Sequence, residues 1–133
     1  MSKSNPLLSG LLILFGIAYC MLYLLQLVWP SGWAWHQGSP ASSDYFMMIA
    51  GVYIVLGVFM IRAARDPLAN ASLIWFVVWS NMAHALVMTW EAFRTPMMMG
   101  HLVGDIPVLI IAAAALAFLM VRAEANRPAL AQA

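Results

Sequence analysis

Charge is what this chain has least of. Only 8% of its 133 residues are charged, six Lys or Arg against five Asp or Glu, and mean hydropathy reaches +0.88. So apolar a composition excludes a soluble domain, and a formal net charge of +1 gives no reason to expect a nucleic-acid partner. Cysteine is nearly absent too: Cys20 stands alone, which rules out an intrachain disulfide, a CxxC pair and the quinone-linked thiol oxidoreductases built on four helices. Residues 7–29 hold no acid, unlike small multidrug exporters that carry a carboxylate in their first helix. Two stacked haems need four axial histidines, and the chain has three, His36, His84 and His101.

Apolar runs are what it has in abundance. Leu7–Trp29, Tyr45–Ile61, Ala71–Phe93 and His101–Val121 each approach the ~20 residues that a helix needs to cross ~30 Å of hydrocarbon. Backbone groups in lipid must bond within their own segment, and the runs lack the alternation of barrel strands, so helices are expected. Lys3 before the first run suggests a secretory signal, but a signal core spans ~7–15 apolar residues and this run continues to Trp29-Pro30; it reads as a retained anchor. The expected fold is therefore an all-α membrane protein: a single four-transmembrane-helix, up-down bundle over residues 1–133.

Cations beside the helix ends set the orientation. Four crossings place Lys3, Arg62, Arg65, Arg122 and Arg127 on one side and Arg94 on the other, so both termini and the loop "RAARDPLAN" should be cytoplasmic. Trp29, Trp33, Trp35, Tyr45, Trp90 and Phe93 gather at the opposite boundary, where amphipathic rings prefer to sit. "SGLLILFGI" and "AGVYIVLGV" share glycines six residues apart, Gly10 and Gly16, Gly51 and Gly57, a pattern that lets helix backbones approach closely.

Against this background five polar groups stand out. "SNMAHALVMTWEAF" steps from Asn81 to His84, Met88 and Glu91 by three, four and three residues, which is one stripe of a helix. Ionisable groups in hydrocarbon are costly, so the stripe should face the bundle interior. His84 lies about 15 Å below Arg94 along the helix, near mid-membrane. In "MMMGHLVGDIPVLI", His101 and Asp105 share a face at i, i+4, and an antiparallel fourth helix would bring them to the depth of Glu91. Pro107 beside Gly104 should make the helix irregular at Asp105. If Glu91 and Asp105 meet, one should stay protonated unless Arg94, a protonated His101 or a metal compensates.

Several readings of an outward-facing pocket lined by Asn81, His84, Glu91, Arg94, His101 and Asp105 follow. It can be a hydrogen-bond and ion-pair network that fixes helices three and four in register. It can be a transition-metal site, with His84, Glu91, His101 and Asp105 as ligands, or a Cu(I) site using Met47, Met48, His36 and Met97–Met99. A single haem on His84 and His101 fits poorly, because their depths differ by about 10 Å. A quinone or lipid-headgroup pocket and a proton path through His84 and Glu91 complete the set.

The stretches "GVYIVLGVFMIRAARDPLANASLIWFVVWSNMAHALVM" and "HLVGDIPVLIIAAAALAFLM", with Arg65, Pro67, Asn70, Ser72, Leu73, Trp75, His84, His101, Gly104, Asp105 and Pro107, resemble a family of small, uncharacterised four-helix membrane proteins of bacteria, a domain of unknown function. The resemblance covers residues 45–121. It implies a bacterial plasma membrane and a common four-helix plan, but no established activity. The expected function is accessory rather than enzymatic: a component that associates with itself or a larger membrane complex in the lipid bilayer. A metal- or redox-cofactor-binding protein is the alternative.

Overall fold

Each helix begins and ends where local chemistry dictates. Asn5 starts α1 (Pro6–Cys20) by accepting the Leu8 N–H on its side-chain oxygen at 3.3 Å, with Pro6 at the first helical position, where a missing N–H costs nothing. Ser43 does the same for α3 (Asp44–Ala63), its Oγ accepting from the Phe46 N–H at 3.2 Å. The loop "RDPLAN" is tied down before α4 (Ala71–Arg94): Asp66 Oδ1 accepts from the Ala69 N–H at 3.2 Å, and Asn70 Nδ2 donates to the Asp66 carbonyl at 2.8 Å. The last helix is α5 (Asp105–Ala125), and short 3-10 turns occupy Pro40–Ser42 and Pro96–Leu102. Helix α4 stops at Thr95, extended at φ −131° and ψ 106°, because Pro96 disfavours a helical residue before it.

The computed structural model describes residues 5–30 and 39–126. Lys3, His36, Trp33, Trp35 and Arg127 lie outside the described residues, and with them one ligand of the copper reading and part of the topology count. Within the described residues the chain is all-helical, with five α-helices. Three segments are long and apolar enough to cross a membrane: Asp44–Ala63, Ala71–Arg94 and Pro96–Ala125.

The first apolar run departs from expectation. Instead of one helix it forms α1 and α2 (Leu22–Val28), bent by 66° at Met21, whose N–H is shared between the Ile17 and Ala18 carbonyls. Neither proline nor glycine stands at the break. The bend brings α2 onto α3, with Tyr23 against Phe46 at 6.3 Å between ring centroids, and buries Leu22 and Gln26. The fourth run differs as well: His101 belongs to the 3-10 turn, and α5 begins only at Asp105. Pro107 explains why. Within the first turn of a helix its absent N–H is not needed, so the chain starts the helix there rather than breaking one.

Packing joins α1 to α3 and α4 to α5, and α1 also bears on α5. The α1–α3 contact is close because Gly16 and Gly57 face each other across it. Toward the end that carries residues 64–70 the interior is dry, built from Leu8, Leu12, Met60, Ile74, Val77, Leu116 and Met120. Toward the other end the apolar core thins to Ala85, Ile106 and Leu109. Large apolar side chains meanwhile point outward, Leu86 at 71% exposure and Phe93 at 75%. An apolar exterior with polar groups inside inverts the soluble pattern and suits a lipid solvent.

Candidate functional site

The thinned half of the core is occupied by a row of polar side chains from four helices. Tyr19 on α1 and Tyr53 on α3 meet edge to face, with ring centroids 4.9 Å apart. From this aromatic pair each hydroxyl reaches α4. Tyr19 donates to Asn81 Oδ1 at 2.5 Å, and the Tyr53 hydroxyl lies 2.7 Å from His84 Nδ1. Three residues separate Asn81 from His84, which places both on one face of the helix. A phenol is the better hydrogen donor of the second pair, so Tyr53 donates and His84 carries its proton on Nε2.

Beyond the tyrosines, at the end that carries the Pro96–Leu102 turn, His101 Nδ1 and Asp105 Oδ1 form a buried pair at 2.7 Å. The i, i+4 spacing spans the junction between the 3-10 turn and α5, so the contact clasps the irregular entry to the helix. Asp105 lies within electrostatic reach of both Tyr53 and His84, though no hydrogen bond between described residues connects the two pairs. An Nδ1–H donated to the carboxylate leaves His101 Nε2 as an acceptor, the opposite of His84.

Two amides in this half are incompletely satisfied. Asn81 and Gln26 are 2% and 1% exposed, yet Asn81 Nδ2 and Gln26 Nε2 have no hydrogen-bond partner among the described residues. Leaving a buried donor unpaired costs about 1–3 kcal/mol, and polar groups so placed call for an explanation.

Of the residues expected to form a pocket, the structure joins some and not others. Asn81, His84, His101 and Asp105 belong to the row. The Glu91 side chain, on a half-buried residue, makes no hydrogen bond or ion pair with any described residue, and His101 pairs with Asp105 rather than with it. Arg94 is exposed and lies over the ring of Trp90, 5.8 Å from its centroid, so it does not neutralise the acids. Among the described residues no three His, Cys, Asp or Glu side chains gather closely enough to hold a metal ion; His84, Glu91, His101 and Asp105 do not converge as one ligand set. Met88 packs against the small apolar cluster, a filling role suited to a flexible thioether.

The sequence reading missed Tyr19, Tyr53 and Gln26. The signal was there: a tyrosine hydroxyl or glutamine amide in mid-run must find a partner when buried. At the opposite end the Trp75 indole N–H donates to Glu124 Oε1 at 3.1 Å, tying the start of α4 to the end of α5. That contact lies beyond the dry core and belongs to packing.

The Tyr53 contact can be weighed by substitution. Tyr53→Phe keeps the ring against Tyr19 but leaves His84 Nδ1 without its donor. The expected loss is about 1 kcal/mol, read as an earlier midpoint in SDS-induced unfolding of the micelle-bound protein followed by circular dichroism.

No curated protein and no solved structure matches this chain. A family model does match, described as a family of unknown function, DUF6632, and it takes in residues 3–132. The match extends past the stretches that carried the resemblance, into the α1 region that supplies Tyr19. With nearly the whole sequence covered, the chain belongs to the family of unknown function DUF6632.

Proposed function

We propose that this chain is a multi-pass protein of the bacterial plasma membrane. It crosses four times with both termini cytoplasmic, and works as an accessory component that associates with itself or a larger complex. Its polar row is a seat for a small ligand that opens toward the Pro96–Leu102 turn. One observation carries the reading of the row: its linked polar groups end at the apolar layer of Leu12, Met60, Ile74, Val77 and Leu116, and neither the buried Ser9 Oγ nor the Trp75–Glu124 contact at the other end is hydrogen-bonded to it. A conduit for protons or ions would need polar groups through that layer, linking the two ends; a seat needs one opening.

The accessory role draws on two features. Little chain lies outside the apolar helices, and Gly10 and Gly51 leave open space where a side chain would be. Such gaps let another helix approach. The four-span orientation rests on the Arg62/Arg65 and Arg122 ends lying opposite Arg94.

Cysteines introduced singly at Asp66 and Met97 in a Cys20→Ala background test sidedness. A membrane-impermeant thiol reagent should reach position 97 only from outside and position 66 only from the cytoplasm; the reverse pattern overturns the orientation. In mild detergent the native chain should run as an oligomer or with a partner, and Gly10→Leu or Gly51→Leu should break that assembly while helicity is kept. A strictly monomeric, unaccompanied particle contradicts the accessory reading. The metal-bound alternative is favoured by the His101–Asp105 pair alone, since a carboxylate on Nδ1 is how ligand imidazoles are commonly oriented. Elemental analysis and an absorption spectrum decide it.

A further inference from the structure

Resting on the reading of the row as a ligand seat, the free atoms of that row describe their occupant. Asn81 Nδ2 is a buried donor without a partner among the described residues, and the amide cannot turn to find one while Tyr19 holds Oδ1. His84 Nδ1 is engaged by Tyr53, which leaves Nε2 as a second N–H. The two donors stand one turn apart on α4, about 4.5 Å of rise. The matching group is a hydrogen-bond acceptor.

Charge narrows the class. No Lys or Arg among the described residues makes a contact with the row; Arg94 is turned to Trp90, and Arg62 and Arg122 lie over Phe59 and Phe118. A carboxylate or phosphate would enter without a counter-ion. Asp105 Oδ1 already accepts from His101 Nδ1, and no second carboxylate joins it among the described residues, so a cation would find no set of acidic ligands there. The ligand is therefore neutral. The tyrosine pair and the apolar cluster of Ala85, Ile106 and Leu109 lie in the same half of the bundle, aromatic and aliphatic surroundings that suit a lipophilic body.

We propose that the row binds a neutral lipophilic carbonyl compound, its oxygen accepting from Asn81 Nδ2 and His84 Nε2. A quinone ring and a glycerolipid ester both offer this chemistry in a membrane. Binding of decyl-benzoquinone and of dioctanoylglycerol to the detergent-purified full chain separates the two, with octyl phosphate as the anionic comparison. At least one neutral probe should bind saturably, its carbonyl stretch moving to lower frequency in the infrared spectrum; the probe that does so identifies the source. Octyl phosphate should not displace it. Asn81→Leu keeps the side-chain size and removes the donor, and should weaken binding about tenfold, the worth of one buried hydrogen bond.

Saturable binding of neither neutral probe, tighter binding of octyl phosphate, or an Asn81→Leu variant that binds as well as the native chain overturns the proposal. The infrared shift of the native protein stands without any variant, so a misfolded Asn81→Leu does not shield it. Water access to position 84 with no binding of either probe would remove the carbonyl assignment and leave the seat; no water access would remove the seat itself.

Discussion

Gly57→Leu should separate α1 from α3 and abolish the folded state, the largest effect expected of any single substitution in this chain. A Cβ at position 57 would stand 2.5 Å from the Gly16 carbonyl oxygen and 2.8 Å from Cys20 Sγ, and one at position 16 would stand 2.8 Å from the Gly57 carbonyl oxygen. A backbone carbonyl oxygen stands on each side of this contact, so movement of the Cys20 or Ile61 side chain would not make room. Even Gly57→Ala should cost about 3 kcal/mol, the upper range for overpacking a tight site. At Gly51 an added Cβ meets nothing within 4 Å. Gly51→Ala should leave protomer stability unchanged or raise it by up to about 1 kcal/mol through helix propensity. Both glycines stand in α3, six residues apart, and only Gly57 meets a neighbouring helix, so the comparison isolates the contact. SDS-induced unfolding in mixed micelles measures both.

Asp105→Ala should cost about 3 kcal/mol. The carboxylate is 7% exposed and is the hydrogen-bond partner of His101 at 2.7 Å, and removing one member of a buried pair strands the other. It also stands in the first turn of α5, where a negative charge is favoured by the helix dipole. Asp105→Asn retains an acceptor for the imidazole N–H and should cost less, roughly 1 kcal/mol. Had Glu91 shared the site, the same amide would have relieved repulsion and stabilised the protein; with His101 as the contact, the sign is reversed. The double substitution His101→Phe with Asp105→Leu should recover most of the loss, because two apolar groups leave nothing unpaired. The same unfolding assay gives the four corners of the cycle.

Much of the fold could be read from the chain, and the reasons are specific. Hydropathy located α3 and α4 to within a few residues, because lipid-length apolar runs ending in Arg62 and Arg94 leave little choice. The bend at Met21 could not be read, since the local residues carry no helix breaker; its cause lies in what α2 covers. Asp105 as a helix start was half legible: Gly104 and Pro107 signalled irregularity, but the choice between a break and a beginning depended on the preceding 3-10 turn.

The site divides in the same way. Helical spacing found Asn81 and His84, and the i, i+4 pattern found His101 and Asp105. Depth matching expected Glu91 beside His101 and Asp105, but the hydrogen bond that forms is between His101 and Asp105, within one segment across the turn. The tyrosines escaped notice because an aromatic residue in an apolar run looks like packing until the partner of its hydroxyl is known.

The central claim is that the row is open at one end and sealed at the other. Single cysteines along the inner face of α4, at Ile74, Val77, Asn81, His84 and Met88, in the Cys20→Ala background and in intact membranes, test it through reaction with a small water-soluble thiol reagent. Ile74 and Val77 lie within the dry core, and Met88 lies on the open side of His84. Positions 88 and 84 should react from the outer side only, position 81 more slowly, and positions 77 and 74 from neither side. Reaction at position 74 or 77 would show a conduit through the core, and silence at 84 and 88 would show a closed structural network; either result contradicts the account.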